Sequence, residues 1–216
     1  TKKKNVAFCG YHGWHDWYLS ANLSSKKNLN NHLFENISTV GIPKNLKNSV
    51  YQFNYGKINE LIKLIKKNSI GIVIMEFARI KELNINFLKS VKKICKKYNC
   101  ILIFDECTSG FREYIGGVHM KYSIEPDIVT FGKAIGNGYP ITCLVAKEKL
   151  RDRSEKAFIS STNWSDRIGF VAANKTIEIM KQIKSNEIIE KLHYNFCKRL
   201  KKIALKNKLK IKNIGL

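Results

Sequence analysis

Two hydrophobic periods alternate along this chain. Val6–Cys9, Ile70–Met75, Ile101–Phe104, Ile128–Phe131 and Ile141–Ala146 are short runs of apolar and β-branched residues, which predict buried strands. Between them, Ile58–Lys67 carries apolar residues at Leu61, Ile62 and Ile65, and Asn86–Tyr98 carries them at Leu88, Val91 and Ile94. That recurrence predicts amphipathic helices. Strand–helix–strand alternation predicts an α/β fold, a mostly parallel sheet with helices on both faces. In such sheets ligands bind beyond the C-terminal ends of the strands. From Arg167 the pattern becomes one helical tract through Ile177, Met180, Ile183, Ile188, Leu192 and Leu200, with a break near Lys184-Ser185-Asn186. Lys208–Ile214 predicts a last strand.

Length and composition narrow the picture. The 216 residues are 44% hydrophobic and 11% aromatic, enough for one sizeable core, or one large domain and part of another. No apolar run approaches the roughly 20 residues needed to span a bilayer. The basic start, Thr1-Lys2-Lys3-Lys4-Asn5, leads into only a short apolar stretch, unlike a secretory signal. A soluble, cytoplasmic protein that does not engage a membrane is expected. The formal net charge of +22 invites a nucleic-acid reading. The excess is nearly all lysine, spread from Lys57 to Lys212, and runs such as Lys63–Lys67 and Lys92–Lys97 sit at helical spacing around apolar residues. Those are solvated outer faces of helices. Nucleic-acid readers gather arginine or interleaved aromatics in one patch, so a basic nucleic-acid-binding α/β protein stands only as a remote alternative. Cys9, Cys95, Cys100, Cys107, Cys143 and Cys197 form no C-x-x-C pair. Free thiols in a reducing compartment are expected, with no metal.

Two segments carry chemistry. Ile101-Leu102-Ile103-Phe104-Asp105-Glu106 is an apolar strand ending in two carboxylates, which strand alternation points to opposite sides. Ile128-Val129-Thr130-Phe131-Gly132-Lys133 is another, ending in a lysine inside a glycine-containing loop that runs to Pro140. A lysine after a buried strand is expected to be partly desolvated, which lowers its pKa and makes the neutral amine a nucleophile toward carbonyls. A pyridinium cofactor needs such a pair: an imine-forming lysine and an acid opposite the ring nitrogen. From spacing alone, a buried Asp–Lys ion pair fits equally well. His12, His15 and Asp16 could in turn suit a metal, but Gly13 separates the histidines and no partner cluster completes the set.

The wording of these segments resembles the class III aminotransferases, especially the branch of glutamate-1-semialdehyde aminomutase. The likeness lies in Asp105-Glu106-Cys107-Thr108-Ser109-Gly110-Phe111-Arg112, in Gly132-Lys133-Ala134-Ile135-Gly136-Asn137-Gly138-Tyr139-Pro140, and in Gly10-Tyr11-His12-Gly13. The resemblance implies a fold-type I pyridoxal-phosphate transferase: a cofactor-binding large domain over residues 1–180 and the start of a small α+β domain over 181–216. It implies that Lys133 forms a Schiff base with pyridoxal 5′-phosphate and that Asp105 keeps the pyridine nitrogen protonated. Tyr11 would stack on one ring face and Cys107, where the family has valine, on the other. Gly10 and His12 belong to the same cofactor-binding element. Glu76 matches a strand-end glutamate near the cofactor, although Phe77 follows it where the family has proline. Thr162, with Ser161 as substitute, would reach the phosphate of a neighbouring subunit in a homodimer, although the usual Asn-Pro is absent. Arg79 and Arg112 are candidates for a substrate carboxylate; structural ion pairs suit them as well.

The resemblance also implies a chain lacking an N-terminal segment and the phosphate-binding loop, and stopping inside the small domain. The activity expected is amino transfer between an amine or amino acid and a carbonyl compound, with the aminomutase reaction as the alternative.

Overall fold

The computed structural model describes residues 3–77, 82–158 and 160–212. They fall into two compact units, one made of Thr1–Phe77, Asn84–Asp105 and Ile124–Val129, the other of Ala78–Leu83, Glu106–Ser123 and Thr130–Leu216.

In the first unit, β1 (Asn5–Cys9), β2 (Val50–Gln52), β3 (Ile70–Glu76) and β4 (Ile101–Asp105) align in the order β2-β1-β3-β4. All three pairings are parallel. Crossovers between parallel neighbours need helices, and the sequence supplies them. α2 (Ile58–Lys67) buries Leu61 and Ile65, and α3 (Ile85–Lys97) buries Phe87, Leu88, Val91 and Cys95. Both leave their lysines outward, and Lys66, Lys67, Lys96 and Lys97 occupy last turns, where cations meet the negative helix end favourably. Asn84 caps α3 by accepting a hydrogen bond from the Phe87 N–H at 2.9 Å. A one-turn helix, α1 (Asp16–Leu19), places Tyr18 in a cluster with Phe8, Ala21, Leu29 and Val50.

Register decides what the strand ends can do. Cys9 lies opposite Met75, and Glu76 lies opposite Asp105. The C-terminal ends of β1, β3 and β4 therefore finish level, and Gly10, Glu76 and Asp105 form one row. β5 (Ile128–Phe131) begins in this unit, where Asp127 donates its N–H to Leu102 at 2.8 Å.

The second unit contains the rest of β5, β6 (Cys143–Ala146), α4 (Val118–Lys121), α5 (Arg151–Glu155), α6 (Arg167–Ile183) and α7 (Ser185–Lys206). The break expected near Lys184 is a single left-handed residue, Lys184 at φ 50°. α7 leaves Ile188, Leu192, Phe196 and Ile203 exposed. Among the described residues no helix is long and apolar enough to cross a membrane.

The last strand expected from Lys208 is not formed over residues 208–212. Lys208 turns left-handed at φ 54° and the Leu209 N–H reaches back to the Ala204 carbonyl at 2.8 Å, closing α7. Alternating apolar residues make a strand only beside a paired edge. β2, three residues long, escaped the sequence pattern, and β6 starts two residues later than the apolar run predicts.

Candidate active site

Within the first unit, the chain leaving β1 turns back over the ends of β3 and β4. Gly10 adopts φ +108°, and a side chain there would place Cβ 2.6 Å from Oε2 of Glu76. Glycine is thus required twice, by conformation and by space. Its N–H donates to Nδ1 of His32 at 3.1 Å, and its carbonyl accepts the Tyr18 hydroxyl at 2.8 Å. Glu76, nearly buried, accepts the Tyr11 N–H at 2.9 Å. The half-buried Tyr11 ring packs edgewise on Trp14 and Tyr18, at 5.8 and 5.9 Å. His12 turns inward, and its Nδ1 meets Oδ2 of Asp105 at 2.9 Å. So Gly10, Tyr11, His12, Glu76 and Asp105 are brought together, as expected of strand-end residues.

His12 does something the sequence did not announce: it holds the acid. Its position after a buried strand was the available signal, but the partner lies 93 residues away. His15 and Asp16 are both exposed, and His15 stacks on Trp17 instead. Among the described residues no group of three potential metal ligands assembles.

Within the second unit, Glu106 is fully buried. It accepts from the Val118 and His119 N–H groups at 2.6 and 3.0 Å, from Ser109 Oγ at 3.2 Å, and faces His119 Nδ1 at 2.6 Å. The neighbouring carboxylates thus turn to different partners, as alternation requires. Glu106 and His119 form an internal clamp that sequence reasoning left out; a buried acid next to a candidate ligand acid could have suggested it. Cys107 is half-buried, with its thiol 3.7 Å from Thr130 Oγ1.

Lys133 follows Gly132 at the end of β5 and opens a single 3₁₀ turn, Lys133–Ile135. Its backbone is left-handed at φ 47°, a conformation that typically costs a non-glycine residue about 1–3 kcal/mol and clusters at functional sites. Its Nζ donates to Thr108 Oγ1 at 2.7 Å. The sequence reading expected a partly desolvated lysine, but the side chain is exposed. Gly132 and the tight turn carry Lys133 off the strand end, so the burial of β5 does not extend to it.

Thr162 and Ser161 are exposed and line a cleft of roughly 580 Å³ with Tyr139, Thr142, Asn163 and Trp164. Arg112 is exposed; Arg79 lies outside the described residues. The thiols are structural where buried, and burial pushes Cys95, Cys100 and Cys143 above the ordinary range.

Comparison with known proteins places these features. The family model described as Aminotransferase class-III matches residues 1–215. The 3-aminobutyryl-CoA aminotransferase of Cloacimonas acidaminovorans (strain Evry) is 33% identical over 213 residues, covering 94% of this chain and 47% of that protein. The glutamate-1-semialdehyde 2,1-aminomutase of Sulfolobus acidocaldarius is 30% identical over 196 residues, covering 87% and 45%. The chain spans about half the length of the curated relatives it matches. Among solved structures, the PLP internal aldimine form of the FumI protein of Sphingopyxis sp. MTA144 superposes with TM-score 0.83 at 22% identity, covering 99% of this chain and 50% of that one. Plasmodium falciparum ornithine delta-aminotransferase superposes with TM-score 0.72 at 18% identity, over 100% and 50%. The fold is therefore the α/β fold of fold-type I pyridoxal-phosphate transferases, and the chain belongs to the class III aminotransferases.

Proposed function

We propose that the protein acts as a pyridoxal-phosphate-dependent aminotransferase, moving an amino group between an amine or amino acid and a carbonyl compound, with Lys133 as the cofactor-bearing residue. The observation that carries the proposal is a lysine held in a left-handed backbone directly after a strand end, with Thr108 at 2.7 Å, in a chain that matches the class III family over residues 1–215. The residues fit the cofactor by donor type: a primary amine for its aldehyde, a strand-end carboxylate for its ring nitrogen, an aromatic face and a small thiol for its ring, and hydroxyls for its phosphate. Bound pyridoxal phosphate supplies an electron sink that stabilises negative charge on the substrate carbon.

The chain's own residues do the rest. Nζ of Lys133 would hold the cofactor through its aldehyde carbon and, when free, would serve as general base and then acid toward the proton on the substrate carbon. Thr108 accepts a hydrogen bond from Nζ and fixes its direction. Asp105 would keep the ring nitrogen protonated by its charge. Tyr11 and Cys107 would flank the ring, and Gly10, His12 and Glu76 would complete the set of residues that holds it. Thr162, with Ser161 as substitute, reaches a phosphate in a homodimer whose active sites are shared between subunits. Arg112 is available for a substrate carboxylate. Residues 1–180 then constitute the cofactor-binding large domain and 181–216 the start of the small domain, in a cytoplasmic enzyme.

The aminomutase reaction is the second reading, favoured by the 30% identity to a protein named for it. One experiment separates the two. The chain is loaded with pyridoxal phosphate and given amino donors, then glutamate 1-semialdehyde. Donor-dependent conversion to pyridoxamine phosphate, with little 5-aminolevulinate formed, is expected. Rapid 5-aminolevulinate formation would replace transfer by isomerisation. If neither occurs with cofactor bound, the proposed activity is wrong.

A further inference from the structure

We infer that His119 is a positioning residue for Lys133: through Glu106 it anchors the turn that carries Thr108, and Thr108 directs the lysine amine. The inference rests on the proposed role of Lys133 and deepens it.

All the parts lie inside the second unit. The Glu106 N–H donates to the Thr130 carbonyl of β5 at 3.0 Å, and the Gly110 N–H returns to the Glu106 carbonyl at 2.8 Å. Cys107, Thr108 and Ser109 are thereby enclosed in one turn beside the end of β5. Nζ of Lys133 donates to Thr108 Oγ1 there, at 2.7 Å. The Lys133 side chain is exposed, so packing does not fix the amine. A long, rotamer-rich side chain in that state depends on its hydrogen-bond partner for direction.

Thr108 is itself held from both sides by one carboxylate. Oε2 of Glu106 accepts the Ser109 hydroxyl at 3.2 Å and the Val118 N–H at 2.6 Å. Oε1 accepts the His119 N–H at 3.0 Å and meets His119 Nδ1 at 2.6 Å. The Glu106 side chain is 0% exposed and that of His119 9%. An ionised carboxylate only accepts, at about four sites, so Nδ1 carries a proton and completes the set. A side chain on Gly117 would fall on the His119 ring and lie 2.9 Å from Oε1 of Glu106. Glycine therefore reserves the room the imidazole occupies. Without the imidazole donor, Oε1 keeps one bond and the carboxylate gains freedom to turn. The turn bearing Thr108 starts at that same residue, so its movement reaches the lysine amine.

Two measurements test it. The cofactor-free chain, labelled with ¹⁵N-histidine and ¹³C-threonine, is examined by NMR at neutral pH. His119 and Thr108 are assigned by the signals lost in His119→Asn and Thr108→Ala. A protonated Nδ1 on His119 is expected, and the Thr108 methyl signal should keep its place in His119→Asn but move in His119→Phe. A bare Nδ1, or a Thr108 methyl indifferent to His119→Phe, would overturn the inference. His119→Ala replaces the phenylalanine variant if that chain does not fold.

In the second measurement pyridoxal phosphate is titrated into the His119 variants, with and without Thr108→Ala. His119→Asn offers an N–H near the place of Nδ1 and should bind within about twofold of the parent, whereas His119→Phe should bind about tenfold more weakly. With Thr108→Ala present, that tenfold loss should shrink to about twofold, because two residues acting through one contact are not additive. The same loss in both backgrounds would make the clamp a support of the fold alone and contradict the inference. Absence of binding by the parent chain would count against the cofactor proposal, while the Thr108 signal still reads the clamp by itself.

Discussion

The ends of β4 and β5 hold their functional groups in opposite ways. Asp105, at the end of β4, is fixed through its side chain by a buried imidazole, on a row set by parallel register. Lys133, just past β5, is fixed through its backbone, by a left-handed φ of 47° and one hydroxyl contact, while its side chain stays exposed. The difference follows the work proposed for each. An acid that must stay charged beside a ring gains from a rigid partner. An amine that forms a bond, leaves it and carries a proton needs a firm base and a mobile end.

Substitutions at and around the β4 end test that rigidity. Asp105→Asn keeps an acceptor for His12 but removes the charge, so the fold should survive while amino transfer falls by about a hundredfold or more, in the range of lost electrostatic stabilisation. Donor-dependent formation of pyridoxamine phosphate measures this, and an unchanged rate would remove charge from the comparison. The next residue, Glu106, should behave differently. Glu106→Ala strips partners from Ser109, Val118 and His119 inside a fully buried site, and a loss of about 3 kcal/mol is expected in denaturant unfolding. Gly10→Ala, at φ +108° and against Glu76, should destabilise by about 2 kcal/mol through backbone strain and steric contact. The smallest effect belongs to the buried thiols. Burial raises the Cys95 pKa, so the thiol stays protonated at pH 8 and should resist alkylation in the native chain. Fast modification there would mean that α3 opens.

How much of this was legible follows from what the sequence encodes locally. The places of Asp105 and Lys133 at or just past strand ends were legible because an apolar run ending in a charge writes a strand end directly. α2 and α3 were legible for the same reason, their apolar residues recurring at helical spacing. The His12–Asp105 pair was not, because it depends on which strands lie side by side and in what register. Strand alternation turned Glu106 away from Asp105, but its partners, the Val118 and His119 N–H groups, lie 12 and 13 residues on and could not be read locally. The burial of Lys133 was misjudged because a strand's environment was extended one turn too far. Leu209 and Ile211 suggested a strand, but residues 208–212 form none and Lys208 completes the turn that closes α7 instead.

The central claim, that Lys133 is the residue that bonds the cofactor, is tested most directly by borohydride trapping. The chain is incubated with pyridoxal phosphate, reduced and digested, and the modified peptide is located by mass spectrometry. The account predicts a pyridoxyl group on Lys133, with an absorbance band lost on reduction and absent from Lys133→Ala. Labelling spread over the surface lysines, with Lys133→Ala behaving like the parent, would contradict it.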